Sequence, residues 1–366
     1  MKYIIYLDTK IEGALYQTIN YFDNEIFGKE TLLVYKKYKQ IDKLFQKELK
    51  KANIHYKSFL RYKDLPSMDG KIVFYLFNAQ SNCRIVANRN AKHIFVTHGE
   101  SNKVSSVKPI IRIYDYVIVS GDLGIDRYLE NKIFHIDDIK RDKVIKMGTT
   151  FIGNAKYNYD ENTRTILYAP TWEGGIIEEN YSSLNKDLFS FKILHKYSTD
   201  NDIKTIIIQP HPNTGHRDKA FLLYLIDGIN YLLNNNYNII INFKFHWFTK
   251  LKLIKNKKLY INKKFDDLSV SKAFVDVSAM EIQLMAKNIP TYVFFNETVN
   301  TMPVSTKLQE HYKKCAIRNF NYTKNLNIDI MLKNYCISYK NEKIESLNFK
   351  QRIEWLSDFV LENKSI

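Results

Sequence analysis

The sequence predicts an α/β protein built as two Rossmann-like halves facing each other. Short β-rich apolar runs alternate with amphipathic segments along the chain, the pattern of parallel strands joined by helical crossovers. The alternation pauses at a polar stretch near the middle and then restarts. At 366 residues the chain is long for a single core and accommodates two domains.

In the first half the strand candidates are Tyr3 to Leu7, Thr31 to Tyr35, Lys71 to Phe77, His93 to Thr97, Tyr116 to Val119 and Val144 to Met147. Lys39 to Ala52 reads as a helix, with apolar residues at Ile41, Leu44, Phe45 and Leu49. The polar run Asn154 to Thr163 reads as an interdomain linker. Beyond it, the strand candidates are Thr165 to Tyr168, Thr205 to Ile208, Ile239 to Phe243, Leu259 to Ile261, Ala273 to Val277 and Thr291 to Phe295. Ala279 to Lys287 fits a helix that stops before Pro290, and Phe349 to Glu362 fits another. The expected division is a Rossmann-like domain over 1–153, a second over 164–345, and a terminal helix within 346–366 that packs back on the body.

Composition narrows the class. Hydrophobic residues make up 45% and charged residues 26%, which fits a globular protein rather than a disordered or fibrous one. A formal charge of +16 favours an anionic partner: nucleic acid, a negatively charged membrane face or a phosphorylated substrate. Nucleic acid is not expected, because the basic and aromatic residues form no recognised reader motif. Cys83, Cys315 and Cys336 contain no CxxC pair and read as reduced thiols of a cytoplasmic protein. The opening run Tyr3 to Leu7 is too short for a signal peptide. No stretch approaches the ~20 apolar residues of a membrane span, so membrane association is expected to be peripheral, on the inner face.

Chemically equipped turns follow several of the strands, where an open α/β sheet binds its ligands. His98 ends the Ile94-Phe95-Val96-Thr97 run, and Gly99 lets the chain turn behind it. An imidazole there can take a proton from an attacking hydroxyl, or simply satisfy backbone groups in the turn. His211 lies between Pro210 and Pro212, which hold the backbone extended, and can donate a hydrogen bond to a leaving diphosphate. Thr214, Gly215, His216 and Arg217 add anion-binding capacity. Ser278 stands where a strand meets a helix, so it can cap the helix and still face a phosphate. Glu281 in the first turn can hold ribose hydroxyls or complete a capping box. Trp172 offers an indole for a base or an acceptor, or for the core.

The basic, aromatic stretch from Phe243 to Lys252, continuing through Lys264, can rest on anionic lipid or form a solvated lysine face. The chain has no Walker A sequence, no GxGxxG after a strand, no HExxH and no nucleophile elbow. With no DxD-like pair at a strand end, a transfer without metal or other cofactor is expected.

Taken in order, four blocks resemble the CDP-glycerol glycerophosphotransferase family of teichoic-acid and capsule-type polymer synthesis. They are His98-Gly99-Glu100-Ser101-Asn102-Lys103, then Tyr168-Ala169-Pro170-Thr171-Trp172, then Pro210-His211-Pro212-Asn213, and finally Asp276-Val277-Ser278. The resemblance covers about residues 70 to 300. It implies a GT-B fold with an N-terminal acceptor domain and a C-terminal donor domain. By that likeness His98 is the general base, and His211 and Ser278 contact the donor diphosphate. Pro170, Thr171, Trp172, Asn213, Ala279 and Glu281 then line the donor site. Gly99, Glu100, Ser101 and Lys103 are expected at the acceptor or its phosphates. The acceptor implied is a lipid-linked or oligosaccharide hydroxyl beside an anionic membrane surface.

Two positions depart from the pattern. Ala279 replaces the second serine of the last block, and Gln283 stands where an acidic residue is expected. Glu281 instead resembles the Ser-x-x-Glu pattern of nucleotide-sugar glycosyltransferases with the same fold. The donor therefore stays open between CDP-glycerol, another CDP-alditol, and a CMP- or UDP-linked sugar used in capsule or lipooligosaccharide synthesis.

Overall fold

A computed structural model describes residues 1–97, 99–149, 157–175, 177–241, 243, 256–261, 268–295, 305–318 and 320–362. The chain divides into two compact units. One comprises Met1–Glu100, Val107–Gly153 and Asn334–Ile366; the other comprises Ser101–Ser106 and Asn154–Lys333.

The first unit is built on seven strands: β1 (Tyr3–Leu7), β2 (Thr31–Lys36), β3 (Tyr56–Phe59), β4 (Ile72–Tyr75), β5 (Lys92–Phe95), β6 (Tyr116–Val119) and β7 (Val144–Lys146). They pair in parallel in the order β3-β2-β1-β4-β5-β6-β7. This is a doubly wound order that reverses between β1 and β4. Both faces are buried, as a parallel sheet requires. Along β1, Tyr3, Ile5 and Leu7 enter one core, while Ile4 and Tyr6 enter the other. β3 was not anticipated because, as an edge strand, it buries only Phe59 and so lacks an apolar run.

The terminal helix Phe349–Glu362 belongs to this unit, with Ile353, Leu356 and Val360 in the same core as Ile5 and Leu7. The chain returns to the unit at Asn334, earlier than the expected limit of 345. The reason lies in its hydrogen bonds. Ser120 Oγ donates to the Cys336 carbonyl at 2.9 Å, and Tyr335 OH donates to Asp126 Oδ2 at 2.8 Å.

The second unit repeats the plan with β9 (Thr165–Ala169), β10 (Thr205–Ile208), β11 (Asn238–Ile241), β12 (Leu259–Ile261), β14 (Lys272–Asp276), β15 (Thr291–Phe294) and β16 (Ala316–Ile317). All pair in parallel, in the order β12-β11-β10-β9-β14-β15-β16, which reverses between β9 and β14. β8 (Tyr157–Tyr159) pairs separately with β13 (Leu268–Val270). Part of the expected linker is therefore structured, and the buried Tyr157 donates to Gln209 Oε1. Residues 154–156 lie outside the described residues.

Gly148 has a φ of +66°, and a Cβ built there would fall 2.1 Å from the Tyr339 ring. Gly148→Ala is expected to lower the unfolding free energy by about 2–4 kcal/mol, since it combines left-handed backbone with overpacking. Denaturant unfolding measures this, and an unchanged midpoint would contradict it.

Candidate functional site

The switch point of the second sheet gathers the loops that follow β9, β10 and β14. Strand order reverses there, so neighbouring crossovers run to opposite faces and leave a crevice at the carboxyl ends. Pro170, Thr171 and Trp172 follow β9, while Asp276 ends β14 and is followed by Val277 and Ser278. Ser278 caps the helix Ala279–Ala286, its Oγ accepting from the Met280 N–H at 3.3 Å. Ser278 and Ala279 are both part-exposed, so this helix presents its N-terminal N–H groups and positive dipole end at the crevice.

Asp276 binds the loops together. Its Oδ2 accepts from the Thr171 N–H at 2.7 Å and from the Ser183 N–H at 3.1 Å. Burial raises its carboxyl to about 7, against the pull of those donors and of the Lys103 ammonium. Lys103, on the segment 101–106 that belongs to this unit, donates from Nζ to Thr171 Oγ1 at 2.8 Å. Burial lowers its ammonium to about 8, while Asp276 and Glu179 favour the charge. The sequence groups Lys103 with acceptor or phosphate contacts and Thr171 with the donor site; the structure brings the two side chains together.

His211 is held by its backbone N–H to the Pro170 carbonyl at 3.0 Å, and its ring stacks on Trp172 with centroids 5.8 Å apart and planes at 18°. Nδ1 accepts from the Asn213 N–H at 3.1 Å, which places the proton of a neutral ring on Nε2. Nε2 of the neutral ring is thereby a hydrogen-bond donor.

The turn behind His211 rests on Glu173, a buried carboxylate that the sequence did not single out as a site residue. It accepts from the N–H groups of Gly215, Arg217 and Asp218 at 3.1, 2.8 and 3.1 Å. Its only sequence signal was position, directly after the Tyr168–Trp172 block.

Glu281 does not face the crevice. It is 1% exposed, and its Oε2 accepts from Tyr312 OH at 2.5 Å, while Tyr312 in turn accepts from Asn102 Nδ2 at 3.0 Å. No capping box forms, because the Glu281 side chain turns inward to Tyr312. Burial raises this carboxyl to about 7. The adjoining cavity of about 20 Å³, lined in part by Glu281 and His311, has room for one water and not for a nucleotide. Tyr312 carried no sequence signal, since it lies far away in the chain.

Glu100 is likewise turned inward. In the first unit it accepts from the Ser120 N–H and pairs with the buried Arg127, so its carboxylate positions the chain rather than meeting a phosphate. Ser101 Oγ lies 3.2 Å from Ser106 Oγ within the second unit's segment. His98 lies outside the described residues. Its neighbours are constrained: Thr97 has a φ of +63°, rare for a β-branched residue, and Gly99 has +154°. The Gly99 N–H donates to Thr97 Oγ1 at 3.3 Å, and the Tyr21 hydroxyl donates to the Thr97 carbonyl at 2.9 Å. Such strain at a strand end is characteristic of functional turns. Of the basic stretch from Phe243, residues 244–255 and 262–264 lie outside the described residues.

The chain is similar to several solved structures. The S. aureus MnaA–UDP co-structure matches at 13% identity and TM-score 0.51, covering 99% of this chain and 97% of that one. A glycosyltransferase from Rickettsia africae ESF-5 matches at 13% identity and TM-score 0.43, with 99% and 93% covered. Anabaena Alr3699/HepE in complex with UDP-glucose matches at 12% and 0.43, with 99% and 98% covered. No protein-family model and no curated protein matches the sequence. The fold is α/β of the GT-B class, with two Rossmann-like seven-stranded parallel sheets. Among the described residues, no helix is long and apolar enough to cross a membrane.

The buried Glu281 makes stability depend on pH. Its carboxyl rises from 4.5 to about 7 on folding, so the folded chain keeps a proton that the unfolded chain loses. This contribution is fully present below about pH 4.5 and is lost as pH rises through 7. Glu281→Gln keeps an acceptor for Tyr312 and removes that loss. The variant is expected to gain about 1–3 kcal/mol relative to wild type between pH 5 and pH 8 in thermal or denaturant unfolding. A difference independent of pH would contradict it.

Proposed function

We propose that the protein transfers a glycosyl group from a nucleotide-activated sugar, UDP-linked in the first instance, to a hydroxyl of a surface polysaccharide or its lipid-linked precursor. The observation that carries this reading is the convergence of His211, Lys103, Thr171 and the Ser278-capped helix N-terminus at one switch point. A diphosphate there meets an imidazole donor, an ammonium and aligned N–H groups, the charge stabilisation that a departing nucleoside diphosphate needs. Lys103 and the helix dipole supply the positive charge that a metal ion provides elsewhere, so we propose transfer without a resident cofactor. The uridine nucleotide in the S. aureus structure supports a UDP-linked donor. The acceptor oxygen attacks the anomeric carbon, the bond to the diphosphate breaks, and His98 takes the hydroxyl proton. We place this reaction in the cytoplasm.

A second reading is favoured by the four ordered blocks from His98 to Ser278. In it, the acceptor oxygen attacks the glycerol-bearing phosphorus of CDP-glycerol and CMP leaves. The two readings separate in a thermal-shift screen of UDP-, GDP- and CMP-sugars against CDP-glycerol, because a ligand of the folded state raises its melting temperature. The first reading expects stabilisation by a UDP-sugar, whereas stabilisation by CDP-glycerol alone would overturn it. In either case His98→Ala should cut turnover by about 10²–10⁴-fold with the nucleotide shift retained. Unaltered turnover would remove His98 as the base.

A further inference from the structure

The charge of this chain is unevenly placed. Residues 36–63 hold ten basic residues against two acidic ones, a net +8 and half of the chain's +16. They form the β2 end, the helix Asp42–Lys51 and the edge strand β3 of the first unit. The helix buries Phe45 and Leu49 in the core and leaves Lys43, Lys47 and Lys50 exposed in a stripe that Lys39 extends. Lys57 is exposed on β3, with Arg61 and Lys63 just beyond it. Among the described residues, the one salt bridge made by these exposed cations joins Arg61 to Asp64 at 3.4 Å. Asp42, one of the two acids, is already taken up by Tyr35 OH at 2.7 Å and Gln46 Nε2 at 2.9 Å.

An apolar residue stands in the middle of this field. Leu60 is 66% exposed, directly after β3 and between Lys57 and Arg61. The crossover from β2 to β3 returns the chain, so the helix start and the end of β3 lie at the same edge of the sheet. Lys39, Lys43, Leu60 and Arg61 therefore share the carboxyl edge. Lysine on an edge strand blocks strand addition, which accounts for Lys57 but not for the helical stripe.

We propose that this basic edge of the first unit docks on an anionic lipid bilayer. Lysine stems lie along the interface with their ammonium groups among the lipid phosphates, and Leu60 enters the acyl boundary. The cations are nearly all lysines, with no exposed aromatic platform for base stacking among them, which favours lipid over nucleic acid. The proposal does not depend on which group the enzyme transfers.

Co-sedimentation of the full chain with vesicles tests it, using phosphatidylcholine alone or mixed in equal parts with phosphatidylglycerol. Binding is expected only to the mixed vesicles and should weaken with added salt. The variant Lys39→Glu/Lys43→Glu/Lys47→Glu/Lys57→Glu should lose at least about tenfold in partitioning. The control Lys192→Glu/Lys314→Glu/Lys324→Glu/Lys350→Glu, of equal charge change on other exposed sites, should lose much less. Leu60→Asp weakens binding as well, and Lys→Gln at the same four patch positions serves if the Glu variant does not fold. Equal losses in patch and control variants overturn the proposal. So does salt-sensitive binding to duplex RNA by a chain that ignores the mixed vesicles.

Discussion

A carboxylate removed from water must be met by donors, and Asp276 meets that demand by drawing three segments of the second unit together. The Thr171 and Ser183 N–H groups reach one oxygen, and the Lys103 ammonium supplies the opposing charge through Thr171. This cluster ties the loop after β9 to the end of β14 and to the segment 101–106. With it, the turn carrying Trp172, the cap at Ser278 and the segment carrying Lys103 are fixed at one edge of the sheet. Burial moves the acid up and the lysine down, so both titrate near neutrality. Groups poised in that way concentrate at functional sites.

A second set of buried carboxylates supports the first from beneath. Glu173 folds the turn behind His211 by accepting three backbone N–H groups. Glu281 holds Tyr312, and through it Asn102, one residue before Lys103. Both act through positioning: each fixes a segment whose neighbouring side chain faces the crevice. Preorganised donors cost no rearrangement when charge develops, which is why such anchoring matters for a transfer reaction.

Much of the architecture was legible in the sequence, because fully buried parallel strands must be continuous apolar runs. β1, β6 and β10 fall where the Ile- and Val-rich segments begin and end. The strands that escaped notice, β3, β8, β13 and β16, are short or lie at an edge, so burial on both faces does not mark them. The turns at the strand ends were readable for the same reason. Side-chain direction was not. Glu100 and Glu281 are carboxylates beside motif residues, yet both turn inward to partners distant in sequence, Arg127 and Tyr312. Lys103 likewise shows its place only once the segment 101–106 is seen to belong to the second unit.

The most direct test is a crystal structure of the protein with bound UDP or CDP. The account requires the diphosphate at the carboxyl ends of β9 and β14, within hydrogen-bond reach of His211 Nε2 and the N–H groups that open the helix Ala279–Ala286. A nucleotide seated instead at the β1 and β4 ends of the first unit, with that crevice unchanged, would contradict it.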